Sequence, residues 1–103
     1  MRRATVFHKN RRAGLLIEEE RGRRYSFVYD ADYGGESISL AMPVKESEYR
    51  YDSFPPFFDG LLPEGPQLES LLRQKKIDAD DLFSQLCVVG EELPGAVNVR
   101  EIE

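Results

Sequence analysis

Ala4-Thr5-Val6-Phe7-His8, Leu15-Leu16-Ile17 and Tyr25-Ser26-Phe27-Val28-Tyr29 follow one another along the first third of the chain. β-Branched and aromatic side chains suit a pleated, half-buried surface, and the third run alternates large apolar with other residues. The links between the runs are polar turns, Asn10-Arg11-Arg12-Ala13-Gly14 and Glu18–Gly22. Neither is long enough for the crossover that parallel pairing demands. The three runs therefore predict an antiparallel meander.

Working outward, Asp30–Glu36 reads as a loop punctuated by Gly34-Gly35. Ser37-Ile38-Ser39-Leu40-Ala41-Met42 alternates up to Pro43 and predicts a strand or extended segment, and the polar Lys45–Asp52 a surface loop. The second half is helical in pattern. Phe57–Leu62 is a candidate short helix between Pro55-Pro56 and Pro63. Pro66 suits a first helical position, where its missing N–H costs nothing, and Leu68, Leu71 and Leu72 then form one stripe. Arg73, Lys75 and Lys76 complement the dipole at the far end. A further helix is expected from Asp78, lined by Leu82, Phe83, Leu86 and Val89 and stopped by Gly90. Ala96–Arg100 reads as a last strand. The fold class that follows is α+β: a small antiparallel sheet with two or three helices in a single domain.

Length and composition agree. A chain of 103 residues with 41% hydrophobic and 32% charged residues can build a modest core. Cys87 is the only cysteine, lies in the apolar run Leu86–Val89, and reads as a buried small hydrophobe. No stretch has the roughly 20 apolar residues of a membrane span, and the basic N-terminus lacks the apolar segment of a signal peptide. A cytoplasmic location with no membrane association is expected. The net charge of −5 is uneven, because residues 1–24 carry eight Lys/Arg against three acids. Arg11 and Arg12 are candidate nucleic-acid contacts, although the acidic remainder would oppose such binding.

Catalytic constellations are not apparent. Gly34-Gly35 lacks a phosphate-loop pattern, and the serines lack a nucleophile elbow. His8 has no sequence-local carboxylate or cysteine at metal-ligand spacing. Phe58-Asp59-Gly60 is the wrong order for a kinase metal-binding tripeptide, so Asp59 is expected to act locally as a turn or cap acceptor. No metal, no cofactor and no enzymatic activity are expected.

The most unusual stretch is Phe54-Pro55-Pro56-Phe57-Phe58-Asp59-Gly60-Leu61-Leu62-Pro63-Glu64-Gly65. Its prolines limit the unfolded backbone and make it easier to order. Its aromatics could plug the core or be presented as interface anchors. Both readings fit so dense a cluster. Phe54, Phe57, Phe58, Asp59, Leu62, Pro63, Glu64, Gly65, Pro66 and Gln67 are the candidate protein-interaction residues.

Phe57–Gly65 also resembles the central motif of the N-terminal domain of HipA-type serine/threonine kinase toxins. Ile38–Pro43 is similar to that domain's Ser/Leu-rich run ending in proline, and Asp81–Phe83, Val89-Gly90 and Gly95-Ala96-Val97 are similar to its later helix, glycine and Gly-Ala strand. Gly90-Glu91-Glu92-Leu93-Pro94 departs from the family's Gly-Arg-Asp-Cys-like stretch. Ending at Glu103, the chain resembles the free-standing HipS component of three-gene HipBST systems. The resemblance implies an α+β fold and an antitoxin-type protein that docks on and restrains a HipT-like kinase. A HipB-like DNA-binding protein would complete a ternary complex, with DNA contacted only indirectly. The rival reading is a structural subunit bridging kinase and HipB-like repressor on operator DNA.

Overall fold

In the computed structural model, which describes residues 1–102, the meander forms as three long strands. They are β1 (Arg2–His8), β2 (Arg11–Glu20) and β3 (Arg24–Tyr29). β4 (Glu48–Tyr51) and β5 (Val97–Ile102) add the two edges, giving an antiparallel sheet of order β4-β3-β2-β1-β5. Three helices complete the α+β fold: α1 (Pro56–Asp59), α2 (Gly65–Lys75) and α3 (Leu82–Val89).

Register explains the core. Ala4 lies opposite Leu16, Leu16 opposite Phe27, and Val6 opposite Val99, so one face collects the large apolar side chains. All five are 0% exposed, and Phe58, Phe83 and Leu86 pack with them from the helical layer.

Both predicted hairpin turns are shorter than expected. The first is Lys9-Asn10 alone, with φ of 51° and 65°, so Arg11–Gly14 belongs to β2. Two successive positive φ values match the strand twist, which a longer loop would not need to do. A side chain at Gly14 would meet the Val28 carbonyl oxygen at 2.1 Å, so the residue taken for a turn glycine serves close strand packing instead. Likewise β2 runs on through Glu18–Glu20, and the second turn is centred on Gly22 at φ 72°.

Other expectations are corrected. Ser37–Met42 is a tight turn closed by a bridge between Ser39 and Met42, since its apolar residues anchor it at both ends. The supposed loop 45–52 contains edge strand β4, whose Tyr49 and Tyr51 pair opposite Phe27 and Tyr25. α3 begins at Leu82, because the Asp81 side chain accepts from the Ser84 N–H and caps the helix there. α3 ends at Val89 with Gly90 as its C-cap, as expected, although the chain keeps coiling. It continues into a 3-10 turn, Gly90–Glu92, and a Cβ there would meet the Val99 carbonyl oxygen at 2.3 Å. Cys87 is half-buried, not enclosed. No helix among the described residues is long and apolar enough to cross a membrane.

Candidate protein-docking site

The aromatic-proline segment divides its work along its length. Pro55 is extended, with φ −59° and ψ 130°, and it delivers Pro56 to the first position of α1. Asp59 N–H donates to the Pro55 carbonyl and Gly60 N–H to that of Pro56, both at 3.0 Å. One helical turn thus aims Phe58 into the core. Phe58 is 0% exposed and lies 5.9 Å from Phe27, ring centre to ring centre. Phe54, 9% exposed, meets Tyr25 edge-on at 5.3 Å. These two phenylalanines hold sheet and helices together and are not presented outward. Phe57 is half-buried, packed edge-on against Phe58.

The later half of the segment faces out. Leu62 and Pro63 are half-buried, whereas Asp59, Glu64, Gly65, Pro66 and Gln67 are exposed. The Asp59 side chain caps no helix, and only its carbonyl oxygen accepts, from Leu62 N–H at 3.1 Å. Gly65 turns the chain into α2 at φ +60°. A Cβ would meet nothing there, so the glycine answers to backbone conformation alone. α2 buries none of its residues completely, and Leu68, Leu71, Leu72 and Ile77 are half-buried. Lys76 at φ 55° ends it, with Ile77 N–H donating to the Leu72 carbonyl.

Two shallow grooves lie along the segment, one lined by its earlier residues and one by its later ones. The first, about 380 Å³, is lined by Phe57, Gly60 and Leu61 together with Ile38 and Leu93–Val97. It brings together residues from three of the segments that carry the family resemblance, around Ile38, Phe57–Leu61 and Gly95–Val97. The second, about 470 Å³, lies between α2 and the end of α3, lined by Pro63, Pro66, Gln67, Leu71 and Val89. Gly60, Leu61, Leu71 and Val89 were not among the predicted interaction residues. Gly60 and Leu61 lie within the quoted motif, and only the fold brings Leu71 and Val89 beside it.

An ionic network ties the start of α3 to the sheet. Arg2 donates to Glu18 at 2.7 Å, to Asp81 at 2.9 Å and to Ser84 Oγ at 2.8 Å, and its guanidinium lies 4.9 Å from the Phe83 ring centre. Burial alone would raise the Glu18 carboxyl. Hydrogen bonds from Arg2, the Gly22 N–H and the Tyr25 hydroxyl overcome this and hold it below its ordinary range. The Asp81 carboxyl, against the same penalty, is brought down to about 2 by Arg2 and Ser84.

The basic residues do not form one patch. Arg11 and Arg12 stand at the start of β2, and Arg21, Arg23 and Arg24 beyond its other end, roughly 30 Å away at about 3.3 Å per residue. Arg12 pairs with Asp30 and Arg21 with Asp81, while Arg23 and Arg24 share Glu20. Arg11 lies over the Tyr33 ring. His8 is buried, with Nδ1 3.4 Å from the Tyr33 hydroxyl. Among the described residues, no group of three or more His, Cys, Asp or Glu side chains is placed to hold a metal ion.

Known proteins share this architecture. The solved N-terminal domain of HipA toxin superposes with a TM-score of 0.78 at 32% identity, covering 100% of this chain and 94% of that one. An uncharacterized protein of Haemophilus influenzae is 36% identical over 101 residues, 98% of this chain and 93% of its own length. A Sinorhizobium fredii protein named "Putative kinase Y4dM" is 43% identical over 49 residues, which are 48% of this chain but 12% of that protein. The family profile described as the HipA N-terminal domain matches residues 4–100. The chain belongs to the HipA N-terminal domain family.

Proposed function

We propose that this protein is a non-catalytic, antitoxin-type binding partner that docks on a HipT-like serine/threonine kinase in the cytoplasm and restrains it. The observation that carries the reading is the split within the motif. Phe54 and Phe58 are committed to the core, while Glu64–Gln67 are exposed on a glycine-set turn beside the apolar groove that Pro63, Pro66 and Gln67 line. A rigid apolar surface rimmed by polar groups is how binding domains engage other proteins. Restraint is steric and allosteric, exerted near the kinase's small lobe or active-site mouth. The similarity to a HipA toxin domain and to a protein named as a kinase supports this class of partner.

The test is a titration of HipT-like kinase autophosphorylation against added protein. Activity should fall in proportion to complex formed, and unchanged activity at saturation overturns the inhibitory role. The bridging role on operator DNA gains no comparable support, because its arginines are divided between opposite ends of the sheet and drawn into local pairs.

A further inference from the structure

His8 is the only histidine of the chain, and it is 8% exposed. It ends β1 on the core face of the sheet, in register with Val97 of β5. The next residue, Lys9, donates its N–H to the Ala96 carbonyl at 2.8 Å, which ties the end of β1 to the start of β5. The ring stands between two hollows. One is the first groove, which it lines with Ile38, Phe57, Leu61 and Leu93. The other is a polar hollow lined by Lys9, Arg11, Tyr33 and Glu36.

Hydrogen bonding decides which nitrogen carries the proton. Tyr33 is stacked on Tyr29, ring centres 5.7 Å apart, and its hydroxyl donates to the Glu36 carbonyl oxygen. A phenol has one proton to give. In the 3.4 Å contact between Tyr33 and His8, Nδ1–H is therefore the donor. A neutral imidazole protonated at Nδ1 has a bare acceptor lone pair at Nε2. Among the described residues, every fully enclosed side-chain nitrogen or oxygen has a partner, so the unpartnered Nε2 opens on a hollow. Tyr33 takes the polar side of the ring, which leaves Nε2 to the groove. No other polar side chain among the described residues lines that groove. A single placed polar atom in an apolar cleft fixes the orientation of what the cleft binds. The complement is an apolar group that brings one N–H or O–H donor. A carboxylate or phosphate would set acceptor against acceptor and fits poorly. A peptide segment supplies both parts, an apolar side chain and a backbone N–H.

We infer that the first groove takes an apolar peptide segment of the partner kinase, and that His8 Nε2 accepts one N–H or hydroxyl hydrogen bond from it. The groove is continuous with the proposed docking surface, because Phe57, Gly60 and Leu61 line it and Pro63 and Pro66 of the same stretch line the other. The inference rests on the docking role proposed above and names what that surface reads.

With one histidine in the chain, nitrogen NMR of histidine-labelled protein reads a single ring. The free protein should carry its proton on Nδ1, and saturating HipT-like kinase should shift the bare Nε2 resonance. A proton on Nε2 in the free protein, or an Nε2 resonance unmoved in the complex, overturns the inference. Calorimetry against the same kinase tests the atom by substitution, with thermal melts to establish that each variant is folded. His8→Phe and His8→Asn lack an acceptor at the Nε2 position and should bind roughly 10- to 100-fold more weakly, the cost of leaving a buried donor unpaired. The His8→Gln amide oxygen reaches that position, so this variant should bind within about threefold of the parent. If all three bind as the parent does while Gln67→Lys is weakened, docking stands and the His8 role is overturned. If the parent itself does not bind the kinase, the docking role falls and this inference with it. An Nε2 resonance that moves with protein concentration alone would give the donor to a second copy of the chain and overturn the kinase assignment.

Discussion

Arg2 on β1 donates from Nε to Glu18 on β2 at 2.7 Å, and Glu18 is 3% exposed. The carboxylate also accepts from the Tyr25 hydroxyl and the Gly22 N–H, so three donors converge on a buried negative charge. Removing the guanidinium leaves that charge uncompensated, and breaking one side of a buried pair typically costs 3–5 kcal/mol. Arg2 is 25% exposed, which places the cost of Arg2→Ala near the low end, about 3 kcal/mol. Urea unfolding checks this, and a midpoint equal to the parent's would refute it.

The same network makes stability fall in acid. Asp81 titrates at about 2 when folded, down from an ordinary 3.8. A depressed carboxyl contributes stability that is complete above the unfolded value and lost as pH falls through the folded one. The window is therefore about pH 4 down to pH 2, and the contribution is about 2 kcal/mol. Glu18 acts with the same sign. Urea midpoints measured at pH 6, 4 and 2.5 should drop more steeply for the parent than for Asp81→Asn, which has no proton to gain there. Parallel curves would count against the assignment.

Much of the fold is legible in the sequence because it is written in periodicity. Val6, Leu16 and Phe27 sit in apolar runs whose register follows once the turns are short. Two features are misread for physical reasons. Arg11 and Arg12 look like turn residues because they are charged, yet the exposed end of a strand accommodates charge as readily as a turn does. The small β4 strand was concealed by its polar flanks, although Glu48-Tyr49-Arg50-Tyr51 alternates strictly. The site is less legible. Composition identifies Phe54–Gly65 as unusual, but it cannot tell that Phe58 is enclosed while Pro66 is exposed. That distinction depends on which way a single helical turn faces.

Cys87 should be chemically quiet in the folded protein. Burial first, then the nearby Glu101 carboxylate, pushes its thiol up to about 12. The thiolate is the reactive species, so little of it exists at neutral pH. Alkylation by iodoacetamide at pH 7.5 should be slow in buffer and fast in denaturing urea. Equal rates in the two would show that the thiol is not held by its surroundings.

The divided roles of the motif give opposite signatures in two assays. Phe58→Ala empties a site that is 0% exposed and packed against Phe27 and Phe57, and phenylalanine truncation in a core costs about 3–5 kcal/mol. Gln67→Lys alters an exposed side chain on the first turn of α2, where a substitution is worth within about 0.5 kcal/mol. Phe58→Ala should therefore lower the unfolding midpoint severely, whereas Gln67→Lys should leave it in place and weaken kinase binding. Gly65→Ala falls between them. Its φ of +60° strains any side chain, by roughly 1–2 kcal/mol, and the strain is relieved by swinging the start of α2 away from the grooves. It should lose affinity out of proportion to its modest loss of stability. Thermal melts paired with calorimetric titration against a HipT-like kinase separate the three. If Gln67→Lys and Gly65→Ala both bind as the parent does, the docking surface lies elsewhere on the domain.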